Sequence, residues 1–196
     1  MTDEEFFSYK LPAVTRILAT IFGDEEFKNI PKSVLDAACE RGSYVHKYIE
    51  NTINNIDNGI VPLEYQIYID YFDDWKNKYK PKFIFSEQKC VSKKYGYKGI
   101  IDTLFIENNE LIMCDWKTSS NLNLFKAKCQ LNLYLLLLED SYPEFKNKIN
   151  KLKILSITKN GYKYYNFEVD KKLAKSILYI YEVMKDGKWN CIGSTN

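Results

Sequence analysis

At Phe83 the hydrophobic period of this chain changes from helical spacing to two, and it stays at two as far as Lys117 before helical spacing returns at Leu124. A chain that switches in this way builds a sheet and packs helices against it. Three strands are expected, Phe83 to Val91, Tyr97 to Ile106 and Leu111 to Lys117. The last two are joined by Asn108-Asn109, residues that tolerate the positive φ of a tight hairpin, so the three form an antiparallel meander. Two further strands flank the Asn160-Gly161 turn.

Helices fill the rest. After an irregular arm, Ser33 can cap a helix in which Val34, Ala38, Val45, Ile49, Thr52 and Ile56 recur up to Asn58-Gly59. Pro62 opens a second, carrying Ile67, Tyr71, Trp75 and Tyr79, and Pro81 stops it. Leu124, Ala127, Leu131, Leu135 and Leu138 mark a third, with Asn121 or Asn123 as cap. Asp170 caps the last, with Leu173, Ile177, Tyr181 and Met184 inward and Gly187 at its end. The order reads ααβββαββα, hence α/β or α+β. No linker, repeat or low-complexity tract divides it, so residues 1–196 are expected to form a single domain.

Composition excludes some classes and leaves others open. With 45% hydrophobic and 28% charged residues the chain is globular rather than disordered or fibrous. A net charge of +2, from 28 basic and 26 acidic residues, is too balanced to imply a nucleic-acid partner without local clustering. The longest apolar stretch, Leu131 to Leu138, is interrupted by Asn132 and falls far short of the roughly 20 residues that span a bilayer. The start, Met1-Thr2-Asp3-Glu4-Glu5, is acidic where an export signal is basic, so a cytoplasmic protein with no membrane partner is expected. Five cysteines without a CxxC pair argue against a disulfide framework and a zinc ribbon.

The chemistry concentrates on the third strand. Asp115 and Lys117 are two residues apart, so both leave one face of the sheet about 6.5 to 7 Å apart. Asp102, on the neighbouring strand, can meet Asp115 across the pair. A hard divalent cation would offset the repulsion between the carboxylates, while Lys117 could hold a water or stabilise negative charge on a phosphate, a layout for phosphodiester hydrolysis. Leu111 and Met113 share this face, so a carboxylate among them needs a partner or a metal. His46, the sole histidine, excludes a multi-histidine zinc site and leaves an oxygen-dominated one suited to Mg²⁺ or Mn²⁺, with one imidazole as a possible ligand. Gly42, His46 and Glu50 form one row on their helix, as do Gln130 and Tyr134 on theirs. The latter pair could contact a phosphate or stack on a base, the alternative being a core Tyr beside an exposed Gln. Glu87 is a candidate base or ligand to a metal-bound water, or else a solvated strand charge. Lys89, Lys93, Lys94 and Lys98, interleaved with Tyr95 and Tyr97, could grip a nucleic-acid backbone, or simply form a soluble turn.

Four segments occur in order: Arg41-Gly42-Ser43-Tyr44-Val45-His46, Gly99-Ile100-Ile101-Asp102, Asp115-Trp116-Lys117-Thr118-Ser119 and Gln130-Leu131-Asn132-Leu133-Tyr134. Together they resemble the PD-(D/E)XK nucleases of the RecB type, and are most similar to phage-type and mitochondrial genome maintenance exonucleases. The early Pro12-Ala13-Val14-Thr15-Arg16-Ile17-Leu18 resembles a further segment of that family, so the likeness spans residues 12 to 134. It implies the PD-(D/E)XK fold, a central mixed sheet flanked by helices. It also implies Mg²⁺ or Mn²⁺ held by His46, Asp102, Asp115 and the Trp116 carbonyl, a catalytic Lys117, and Gln130 and Tyr134 placing a DNA strand. Ile101 stands where the superfamily's name has proline, as in many RecB-type members. Some relatives hold an iron–sulfur cluster with three cysteines near the C-terminus. Here only Cys191 follows the glutamine-tyrosine motif, so no cluster is expected. The expectation is a metal-dependent DNA nuclease, an exonuclease acting on ends or single strands in recombination, repair or phage replication. The alternatives are an endonuclease of the same fold, or a non-catalytic DNA-end-binding or interaction protein built on it.

Overall fold

Five strands in the order β1-β2-β3-β4-β5 form one mixed sheet in the computed structural model, which describes residues 1–23 and 30–185. They are β1 (Lys82–Ser92), β2 (Tyr97–Glu107), β3 (Glu110–Lys117), β4 (Lys151–Thr158) and β5 (Gly161–Phe167). The first three form the expected antiparallel meander, and Asn108 and Asn109 take φ of 51° and 62° at its second turn. β4 runs parallel to β3, because helix α5 (Leu124–Ser141) carries the chain back between them, and β5 returns antiparallel at the edge.

Alternation along β3 decides what covers each face. Ile112, Cys114 and Trp116 join the core beneath α3 (Lys32–Ile53) and α4 (Leu63–Tyr79), built on Val45, Ile49, Phe72 and Trp75. Met113 points the other way, into a core of α5, α2 (Val14–Phe22) and α6 (Lys171–Lys185). The result is helices on both faces of a mixed sheet. α5 is buried from Leu131 to Leu138, since it lies between the sheet and two helices. Its one interior polar residue, Asn132, is satisfied: Nδ2 donates to the Lys128 carbonyl at 2.9 Å and Oδ1 accepts from the Asp170 N–H at 2.7 Å. Among the described residues no helix is long and apolar enough to cross a membrane.

Several local expectations are corrected. The arm before Ser33 holds two helices, α1 (Asp3–Ser8) and α2, because Val14, Ile17 and Leu18 make a helical stripe that α5 buries. α3 begins at Lys32 after Pro31, without a side-chain cap from Ser33, and ends at Ile53. Val34 and Ile56 are consequently exposed, and only Val45 and Ile49 are buried on that helix. On α4 the buried stripe runs through Tyr68, Phe72 and Trp75 rather than Ile67. Leu124, at the first turn of α5, is also exposed. Gly187 and Cys191 lie outside the described residues; of the other cysteines Cys39 is exposed and Cys90, Cys114 and Cys129 are buried and free.

Asn123 caps α5 through the Lys126 N–H, and Asp170 caps α6 through the Leu173 N–H at 2.9 Å. Asp170→Ala removes that acceptor and is expected to cost about 1 kcal/mol, read as a lower urea midpoint at constant slope. An unchanged midpoint would show the cap to be dispensable.

Candidate active site and metal centre

Strand register assembles the site. Thr103 of β2 faces Cys114 of β3, and one step further the same register sets Asp102 level with Asp115. On β1, Ser86 pairs with Thr103 and Gln88 with Ile101, which sets Glu87 level with Asp102. Glu87 is the only described non-glycine residue within a strand whose backbone is left-handed, with φ of 50°. That conformation costs a non-glycine residue about 1–3 kcal/mol, a strain that gathers where a side chain must be aimed.

α3 brings His46 to this row. Its Nδ1 lies 3.5 Å from Glu87 Oε1 and 3.6 Å from Asp102 Oδ2, while Nε2 meets the Trp116 carbonyl at 3.0 Å. The Trp116 N–H donates to Asp102 Oδ2 at 2.8 Å. Trp116 thus offers its main chain to the site, and its indole packs on the opposite face against Phe72 and Trp75. Beside them Lys117 Nζ sits 2.7 Å from Asp115 Oδ2, and Gln130 Nε2 donates to Asp115 Oδ1 at 3.2 Å. The Tyr134 hydroxyl lies 3.3 Å from the same amide.

Burial and charge set the protonation. Burial pushes the Asp115 and Asp102 carboxyls above their ordinary range, against the pull of Lys117 and His46. For His46 burial acts downward, but Asp102, Glu87 and Asp115 outweigh it and lift the imidazole to about 9. Lys117 behaves alike: burial alone would lower it, and Asp115 and Asp102 hold it above its usual value. Burial keeps Tyr134 a neutral phenol.

One donor atom from each of His46, Glu87 and Asp102 lies within 4.8 Å of the others. Two carboxylate oxygens and one imidazole nitrogen, partly buried, suit a hard divalent cation. Asp115 Oδ2 fits the same picture, being buried and accepting no aligned hydrogen bond despite its close ammonium neighbour. Compared with the expected ligand set, Glu87 rather than Asp115 completes the three-donor cluster, because Lys117 and Gln130 engage Asp115. The Trp116 carbonyl is bonded to His46. A cavity of about 400 Å³ opens beside the cluster, and Gly42, His46 and Glu50 of the α3 row all line it.

The far end of the first hairpin lies away from this cluster. Ser92, at the end of β1, bonds Asp140 of α5, ten residues and therefore about 15 Å beyond Gln130 along that helix. Lys98 donates to the Phe6 and Tyr9 carbonyls and Lys89 pairs with Asp3 at 2.7 Å, so both hold the N-terminal segment. Lys93 and Lys94 lie over the Tyr9 and Tyr95 rings. Arg41 is a residue whose role spacing did not disclose, although it is one of only two arginines. Its guanidinium stacks over Tyr68 at 5.6 Å and reaches the Thr118 carbonyl at 3.4 Å, tying α3 and α4 to the end of β3.

Gly99 owes its identity to α5. A Cβ there would stand 2.8 Å from Tyr134 Cε1 and 3.1 Å from Leu137 Cδ2. Gly99→Ala is expected to push the Tyr134 ring away and to cost about 1–3 kcal/mol, measured by urea unfolding. Wild-type stability in that variant would contradict the close approach.

No family model matches the sequence, and no curated protein matches it. Solved structures do. A candidate exonuclease from Eubacterium rectale is 13% identical over 96% of this chain and 87% of its own, with a TM-score of 0.54. An alkaline exonuclease from Laribacter hongkongensis is 10% identical over 94% of this chain and 91% of its own, with a TM-score of 0.50. At such identities the likeness is one of fold, and the chain has a mixed α/β fold similar to that of exonuclease structures.

Proposed function

We propose that this chain is a metal-dependent deoxyribonuclease, an exonuclease that hydrolyses phosphodiester bonds at DNA ends in recombination, repair or phage replication. The observation that supports it most is the meeting of Glu87, Asp102, Asp115, Lys117, His46 and Gln130, from three strands and two helices, with His46 and Glu87 lining one cavity and Lys117 and Gln130 another. The fold shared with exonuclease structures points the same way.

Mg²⁺ or Mn²⁺ would be held by His46, Glu87 and Asp102 with Asp115 alongside, and would supply Lewis-acid stabilisation of the phosphate and a more acidic water. The chain's own groups do the rest. Lys117, kept as an ammonium by two carboxylates, holds the attacking water and stabilises charge developing on the phosphoryl oxygens; it is not the base. The Gln130 amide fixes one oxygen of Asp115, and Tyr134 steadies that amide. Water adds to phosphorus, the bond to the leaving oxygen breaks, and the proton released by the water ends on the leaving group.

The test is incubation of the full chain and Mg²⁺ with end-labelled linear DNA and a covalently closed circle of the same sequence. Shortening of the linear form alone is expected. Cutting of the circle would replace the exonuclease by an endonuclease of the same chemistry, and no metal-dependent cutting of either would overturn the nuclease.

A further inference from the structure

Lys117 borders a second cavity, which His46 does not line. It measures about 180 Å³, and Gln130 lines it too. A third, of about 420 Å³, lies between the connection before α5 and the β4–β5 hairpin. Asn121 and Leu122 line both, so the two are parts of one groove leading from the site to the sheet edge.

Register explains what the groove presents. Lys117 of β3 is opposite Ser156 of β4, and Ser156 is opposite Lys163 of β5. One step back, Asp115, Ile154 and Tyr165 form the neighbouring row. Cross-strand partners share a face, so Lys163 stands two strand spacings, about 10 Å, from Lys117 on the face that carries the site. Lys163 is exposed and Tyr165 half-buried, and both line the larger cavity. No carboxylate occurs among the described lining residues of either cavity, although the chain has 26 acidic residues. The cavity beside His46, by contrast, carries Glu50 and Glu87.

An acid-free groove with ammonium groups, an aromatic ring and amides suits a single nucleic-acid strand held without base-edge readout. We propose that this groove binds the strand adjoining the scissile phosphate, with Lys163 on a backbone phosphate and Tyr165 against a base, before the strand leaves past the open edge at β5. The assignment rests on the nuclease reading above.

Anisotropy of a labelled oligothymidylate of about 12 nucleotides, titrated with full-length protein in Ca²⁺ across a range of NaCl concentrations, tests it. Lys163→Ala should weaken binding several-fold and reduce the slope of log K against log salt by about 0.7, the loss of one phosphate contact to a single strand. Lys163→Arg should restore the slope. Lys172→Ala, which removes an exposed charge from α6, should leave it unchanged. Tyr165→Leu keeps an apolar side chain toward the core and should weaken binding about tenfold without altering the slope. An unaltered slope in Lys163→Ala, or the same reduction in Lys172→Ala, overturns the subsite while leaving the nuclease standing. A wild-type protein that neither binds the strand nor cuts DNA overturns both.

Discussion

Lys117→Ala is expected to lower single-turnover DNA cleavage at least about 10²-fold while metal and DNA still bind, the signature of an interaction realised in the transition state. The ammonium lies 2.7 Å from Asp115 at the mouth of the cavity containing Gln130, and it is absent from the cluster of His46, Glu87 and Asp102. Its removal therefore takes a positive charge from the reacting centre without taking a donor from the metal. The same change leaves Asp115 buried beside Asp102 with its main counter-charge gone, so the Asp115 carboxyl should rise further and be protonated over more of the neutral range. Lys117→Arg keeps the charge but not the compact ammonium, and should recover part of the rate. Calorimetric metal titration beside single-turnover cleavage separates the two effects. Cleavage at the wild-type rate by Lys117→Ala would remove Lys117 from the active site.

Asp102→Asn should abolish the rise in melting temperature that Mg²⁺ or Mn²⁺ confers on the wild type. A ligand that binds only the folded state stabilises it by RT ln(1 + [L]/Kd), about 2.7 kcal/mol at a hundredfold excess over Kd, and the whole of that depends on the donors. Asp102 is 8% exposed and its Oδ2 does two things: it accepts the Trp116 N–H at 2.8 Å and faces His46 Nδ1 at 3.6 Å. Asparagine retains an acceptor for the N–H but loses the charge, so the metal-free protein should melt close to the wild type. Asp102→Ala loses both, and leaves a buried N–H unpaired at a cost of about 1–3 kcal/mol. Calorimetry of both variants with and without metal distinguishes them. A metal-dependent shift of wild-type size in Asp102→Asn would exclude this cluster as the metal centre.

Much of the architecture is legible in the sequence wherever it depends on spacing within one element. The change of period at Phe83, the stop at Pro81, the Asn160-Gly161 turn, the caps at Asp170 and at Asn123, one of the two asparagines on offer, and the Asn108-Asn109 hairpin follow from backbone geometry over a few residues. So does the shared face of Asp115 and Lys117, which a two-residue interval on a strand dictates. The helix of Val14, Ile17 and Leu18 carries the same kind of local signal, apolar residues at helical spacing, in what otherwise reads as an irregular arm.

Relations between elements are a different matter, because they depend on how separate surfaces pack. Only the tertiary structure sets the His46 ring against the carbonyl of Trp116, 70 residues away, and engages Asp115 with Gln130 of α5. The left-handed backbone of Glu87 had no local signal, since glutamate adopts it only where its surroundings outweigh the strain. Packing likewise sets α1 and the segment after it against the first hairpin, where Lys89 meets a carboxylate and Lys98 two carbonyls. The sequence by itself determined which elements form and which side chains each can offer on one face. Which of those side chains meet was decided by burial of the two apolar faces of the sheet, a free energy summed over the whole chain that no short segment contains.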